Sequence, residues 1–201
     1  MMYNIQAAVS NFEYVLSFGC LVFVVIVPIL TMRVLAEERR QKTDQLLYSL
    51  PVSTVGVVLG KYAALIVLYL VPLAIICAYP LIFAQYGEVY LPTSYGSIFA
   101  FFLLGAAFIA VGVFLSSVTE NQLIAAVSSI AIIGMLILIS FLADEIPVVW
   151  VRTVIDWFSV MSRYAPFTNG LLDISAIIYY ISFAAVFLFL TVRVYEKRRW
   201  S

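Results

Sequence analysis

Histidine is absent from this chain of 201 residues. That removes the commonest proton shuttle, the commonest biological metal ligand and the base of most nucleophilic dyads. Cysteine is nearly absent too. Cys20 and Cys77 both fall inside apolar runs, spaced for neither a disulfide framework nor a metal site, and read as small buried hydrophobes. Charge is scarce, at 11% of the residues, and almost none of it lies inside the apolar runs. Ion- and proton-coupled transporters commonly place acids or bases at mid-membrane, and that pattern is missing. A glycine-rich phosphate loop is missing as well: Gly56 and Gly60–Lys61 lack its spacing, which argues against nucleotide binding by this chain. The Glu37-Glu38-Arg39-Arg40 run fits the paired glutamates of membrane-embedded metal-dependent proteases, but those enzymes need histidine.

What the chain has in quantity is hydrocarbon. A hydrophobic content of 65% and a mean hydropathy of +1.10 lie outside the range of soluble domains. Runs of about 20 apolar residues match a hydrocarbon core about 30 Å thick, where only helices or closed barrels satisfy the backbone. The runs are continuous rather than alternating, which selects helices. The expected fold is an all-α polytopic membrane bundle forming a single domain over residues 1–201. Five spans are expected at Tyr14–Val34, Val55–Ala84, Ser94–Leu115, Gln122–Ala143 and Ile174–Val194. Pro72 and Pro80 fall inside the second, which is long enough to tilt or kink. Gln85–Thr93 and Ser116–Asn121 are turns, and Thr119 with Gln122 fits a capping box for the fourth span. Ser128, Ser129, Ser140 and Ser182 read as packing or back-bonding hydroxyls. Gly105, Ala106, Ala107, Ala110 and Gly112 give the third span a small-residue side suited to close helix approach, within the chain or as a seam for a second copy.

The lysines and arginines orient the chain. Arg33, Arg39, Arg40, Lys42 and Lys61 cluster between the first two spans, and Arg193, Lys197, Arg198 and Arg199 follow the last. Only Arg152 and Arg163 lie elsewhere, between spans four and five. The first cluster and the tail are therefore expected in the cytoplasm, with both lone arginines outside. Five spans then require an external N-terminus, although Met1–Glu13 carries neither a signal peptide nor a basic flank. A helix upstream of Met1 would account for that more simply.

Two connections are more than tethers. Residues 144–173 interleave apolar residues with Arg152, Asp156 and Arg163, and Trp150 and Trp157 favour a membrane interface. A short amphipathic helix on, or dipping into, the outer leaflet is expected there. Residues 33–54 divide in two. Arg33–Gln41 has good helix formers and is expected to continue the first span. Thr43 is placed to cap a short helix, Asp44–Leu50, with Asp44 in its first turn and Leu46, Leu47 and Leu50 on one face. Pro51 ends that helix, and Ser53 or Thr54 can cap the next. A plain topogenic loop needs no such leucine face; a docking helix does.

LAEERRQKTDQLLYSLPVS followed by GKY, together with the tail RYAPFTNGLLDISAIIYYISFAAVFLFLTVRVYEKRRW, resembles ABC-2-type transporter permeases, in particular the gliding-motility and copper-processing (NosY-like) branch. The resemblance implies a permease dimer, formed with a second copy or a paralogue, working with two cytoplasmic ATPase subunits. It implies that Thr43–Pro51 is the coupling helix and Glu37–Arg40 the charged end of the helix feeding it. Ile146–Phe167, with Trp150, Trp157, Arg163 and Phe167, would form the external re-entrant helices. An interface helix and a first transmembrane helix would precede Met1. No catalytic residue, metal or cofactor is expected on this chain, ATP and magnesium being held by the partner ATPase. Membrane lipid is an expected partner and nucleic acid is not. The expected function is the plasma-membrane permease subunit of an ATP-driven exporter; the competing expectation is a non-transporting membrane anchor.

Overall fold

The computed structural model describes residues 12–43, 53–85, 91–145, 159–168, 170–171 and 173–199. Seven helices occur among them: α1 (Phe12–Thr31), α2 (Ala36–Arg40), α3 (Thr54–Phe83), α4 (Leu91–Val118), α5 (Gln122–Glu145), α6 (Ala165–Thr168) and α7 (Ile174–Arg199). No strand is found among the described residues. Among the described residues, five helical stretches are long and apolar enough to cross a membrane, at the five places expected, the first of them, Phe18–Arg40, including the turn between α1 and α2. α3, at 30 residues, measures about 45 Å and exceeds the hydrocarbon core; it runs as one helix through both Pro72 and Pro80. α7 outlasts its apolar part and carries the basic tail to Arg199.

Helix starts follow local side-chain chemistry. Ser53 caps α3, its hydroxyl accepting from the Gly56 amide at 3.2 Å. The cap of α5 differs from the expected Thr119–Gln122 box. Asn121 Oδ1 accepts from the Leu123 amide at 2.9 Å, while Thr119 Oγ1 accepts from Asn121 at 3.1 Å. An asparagine beside the first turn reaches its free amides more directly than a threonine two residues upstream.

α4 is the central helix. It packs against α1, α3, α5, α6 and α7, and 72% of its membrane span is buried, against 22–33% for the other four. Its small residues make this possible. A Cβ on Gly112 would lie 2.8 Å from Thr31 Cβ and 2.9 Å from Thr31 Cγ2, and one on Gly105 would lie 2.5 Å from the Tyr69 ring. Tyr69 in turn donates to the Phe101 carbonyl at 2.9 Å, and Phe23 stacks on Phe101 with ring centroids 4.5 Å apart. Gly105, Ala107, Ala110 and Gly112 are all buried inside the chain. Four of the five small residues are thus spent on internal helix crossings, and Ala106 is half-buried.

The expected back-bonding of serines is present at three positions: Ser128 to Ile124, Ser129 to Ala125 and Ser140 to Leu136, at 2.7, 2.7 and 3.0 Å. On the outward faces large apolar side chains are exposed, among them Val71, Ile75, Val127, Leu138 and Ile178. Exposed apolar faces of this kind suit a protein that crosses the bilayer several times.

Candidate functional site: the charged end of the bundle

The ends of α1, α4 and α7 and the starts of α3 and α5 lie at one end of the bundle, where side chains of the charged segment bind α3, α4, α7 and the α4–α5 turn. α1 stops at Thr31 and α2 begins at Ala36, so the expected continuous extension Arg33–Gln41 is broken by a turn at Met32–Leu35. Nothing in Met32-Arg33-Val34-Leu35 breaks helices. The cause lies on another helix: Ser116 of α4 accepts from the Leu35 and Ala36 amides at 3.2 and 3.1 Å and donates to the Met32 carbonyl at 3.1 Å. One buried hydroxyl therefore takes up three backbone groups that the break would leave unmatched.

α2 has five residues, too few to hold itself as a helix. Its side chains anchor it. Arg39 is buried and donates to the Ser117 carbonyl, one of the last four of α4 that have no partner within the helix. A cation there also meets the negative end of the helix dipole. Its second nitrogen reaches Glu120 Oε1 at 3.2 Å in the α4–α5 turn. Because the Glu120 side chain is 68% exposed, solvent screens that ion pair, and the buried carbonyl bond is the stronger tie.

Glu38 makes the second anchor. Its carboxylate pairs with Lys61 of α3 and accepts from the Tyr195 hydroxyl of α7 at 3.4 Å. Lys61 also donates to the Val34 carbonyl in the break, at 2.9 Å. Glu37 accepts from Gln41 at 3.2 Å on the exposed side, and Arg40 is exposed.

α2 is closed by a Schellman turn. The Thr43 amide donates to the Glu38 carbonyl and the Lys42 amide to that of Arg39, at 3.0 and 3.2 Å, with Lys42 left-handed at φ 56°. Thr43 also donates its hydroxyl to Glu38 O, at 3.3 Å. The helix it is expected to open, with Asp44, Leu46, Leu47, Leu50 and Pro51, lies outside the described residues.

At the other end, residues 159–168 tuck into the bundle. Phe167 is fully buried, with its carbonyl 3.4 Å from Ser97 Oγ of α4. Arg163 stands over the Tyr179 ring of α7, 5.6 Å from its centroid. Tyr180 donates to the Val160 carbonyl at 2.7 Å, and Ser159 donates to Ser140 at 2.8 Å. Trp150 and Trp157 lie outside the described residues.

Sequence reasoning names Glu37, Glu38, Arg39 and Arg40 but assigns them no partner. It misses Ser116, Glu120 and Tyr195 as site residues and gives Lys61 no partner. The one signal for Glu120 was an acid in a short turn on the same side as the basic cluster.

No curated protein and no solved structure matches the chain. One family model does, over residues 2–194, and its family supplies membrane components of transporters that work with a separate ATP-binding subunit. On a match of that extent the chain belongs to the ABC-2 family transporter proteins.

Proposed function

We propose that this chain is the permease subunit of an ATP-driven exporter, with ATP and magnesium bound on a separate subunit that docks at the charged end. The observation carrying this reading is the anchoring of α2. A five-residue helix leading into the 44–52 segment is tied by side chains to the ends of α3, α4 and α7. A docked partner that moved the segment would therefore act on helix ends rather than on a slack loop. Thr43, Asp44, Leu46, Leu47, Leu50 and Pro51 form the coupling helix, and the positive-inside bias of the basic residues supports a cytoplasmic charged end. Two permeases, identical or paralogous, are expected to face two ATPase subunits, and closure of the ATPase pair on ATP switches the pathway between inward and outward access. The segment 144–173, with Trp150, Trp157, Arg163 and Phe167, closes the outer side. The end motifs support the gliding-motility and NosY-like branch.

Purification of the chain from its own cells tests the reading. A Walker-motif ATPase is expected to co-purify, and its turnover is expected to rise when the permease is present. An ATPase that binds but turns over at the same rate with and without the permease would favour the membrane-anchor reading instead.

A further inference from the structure

We propose that α2 is a lever pivoted on α4, and that Glu38 is the positioning residue through which it moves α3 and α7; this rests on the docking of an ATPase at segment 43–51.

The two anchors of α2 end on different kinds of support. Ser116 and the Ser117 carbonyl belong to α4, the helix packed against every other span, and they hold the break and Arg39. Buried on most sides, α4 resists displacement, because close-packed interiors deform little. Glu38 is the next residue along α2. A step of one residue turns about 100° around the helix, so its side chain leaves in another direction and finds Lys61 and Tyr195. Those sit on α3 and α7, whose membrane spans are each 22% buried. α3 and α7 also pack on one another. A displacement entering at Thr43 thus meets a fixed point at Ser116 and Arg39 and a mobile load at Glu38. The break at Met32–Leu35 lets α2 tilt without bending α1.

Lys61 strengthens the assignment, because it holds both the arm and the hinge: it pairs with Glu38 and donates to Val34 O within the break. A residue needed only for solubility or topology would not bridge the two. Charge alone does not define the site either, since Arg40 and Glu37, equally charged, make no tie to another helix among the described contacts.

The test uses the complete complex reconstituted in bilayers, measuring ATPase stimulation by the permease and, separately, the amount of ATPase bound. Glu38→Gln and Lys61→Met are each expected to lower stimulation about two- to thirtyfold, the span seen when coupling elements are weakened, while binding stays constant. The exchange E38K with K61E restores the ion pair but not the Lys61 bond to Val34 O, and is expected to stimulate above the level of Lys61→Met without reaching that of the unaltered protein. Tyr195→Phe, which deletes one hydroxyl and leaves the fold intact, is expected to lower stimulation less, at the bottom of that range. Normal stimulation by Glu38→Gln and Tyr195→Phe would overturn the lever. So would loss of ATPase binding in step with stimulation, which would make Glu38 a docking residue, and so would an exchange that stimulates no better than Lys61→Met in a complex that assembles normally. If the unaltered permease binds an ATPase without stimulating it, the proposed function itself falls, whatever the variants do.

Discussion

Single residues decide how closely the spans approach, and the glycines of α4 show it. Gly112 faces Thr31 of α1, and Thr31 has little freedom to withdraw, since its hydroxyl is bonded to the Val27 carbonyl at 2.9 Å. Gly112→Ala is therefore expected to destabilise the protein by about 1–3 kcal/mol, as overpacked cores do. Gly60 provides the opposite case: it is exposed on α3, and a Cβ there meets nothing within 4 Å. Gly60→Ala should stabilise by up to about 1 kcal/mol through the helix preference of alanine. Thermal unfolding in detergent, compared across the two variants, checks the sign of each. Equal shifts would remove the close-approach explanation. The small-residue pattern was legible in the sequence, but its partners were not. Composition shows that a helix can come close; only the packed structure shows that Thr31 and Tyr69 are what come close to it.

Among elements, the outcome turned on whether a determinant was local. The spans were legible because hydrophobic length is a local property, and all five were placed within a few residues apart from the long basic end of α7. The break after α1 was not legible, because its determinant, Ser116, lies 80 residues or more away in the chain. Ser116→Ala is expected to cost about 1–3 kcal/mol locally, since it strips an acceptor from two buried amides and a donor from one carbonyl. Hydrogen exchange at Leu35 and Ala36 should then rise by roughly ten- to a hundredfold. Unchanged exchange at both amides would mean that the hydroxyl does not hold the turn. The same reasoning explains why Arg39 and Glu38, visible in the sequence as a charged run, gained meaning only from Ser117, Lys61 and Tyr195.

For the whole molecule, polarity is the organising property: one end gathers Arg39, Lys61, Glu120 and the α7 tail, and the other is closed by residues 159–168 folded against α4 and α7. On the positive-inside rule we propose that the first end faces the cytoplasm. In a protein whose Cys20 and Cys77 are replaced by alanine, a single cysteine at position 171, exposed at the second end, should react with a membrane-impermeant maleimide in intact cells. A single cysteine at position 42 should react only after the membrane is opened. The reverse pattern would invert the molecule and move any cytoplasmic partner to the other end. The bias of basic residues sets the expected orientation, which the labelling pattern tests. How the charged end is built was not legible in the sequence, because it depends on five helix ends converging.

The central claim is that the segment following Thr43 receives the work of an ATPase, and the most direct measurement is permease-stimulated ATP turnover in the reconstituted complex before and after replacing Leu46 and Leu47 with Asp. A buried leucine contributes about 1.5–3 kcal/mol at an apolar contact, so the double change is expected to abolish ATPase binding and stimulation while the permease still inserts and folds. Binding and stimulation that survive both substitutions unaltered would contradict the account.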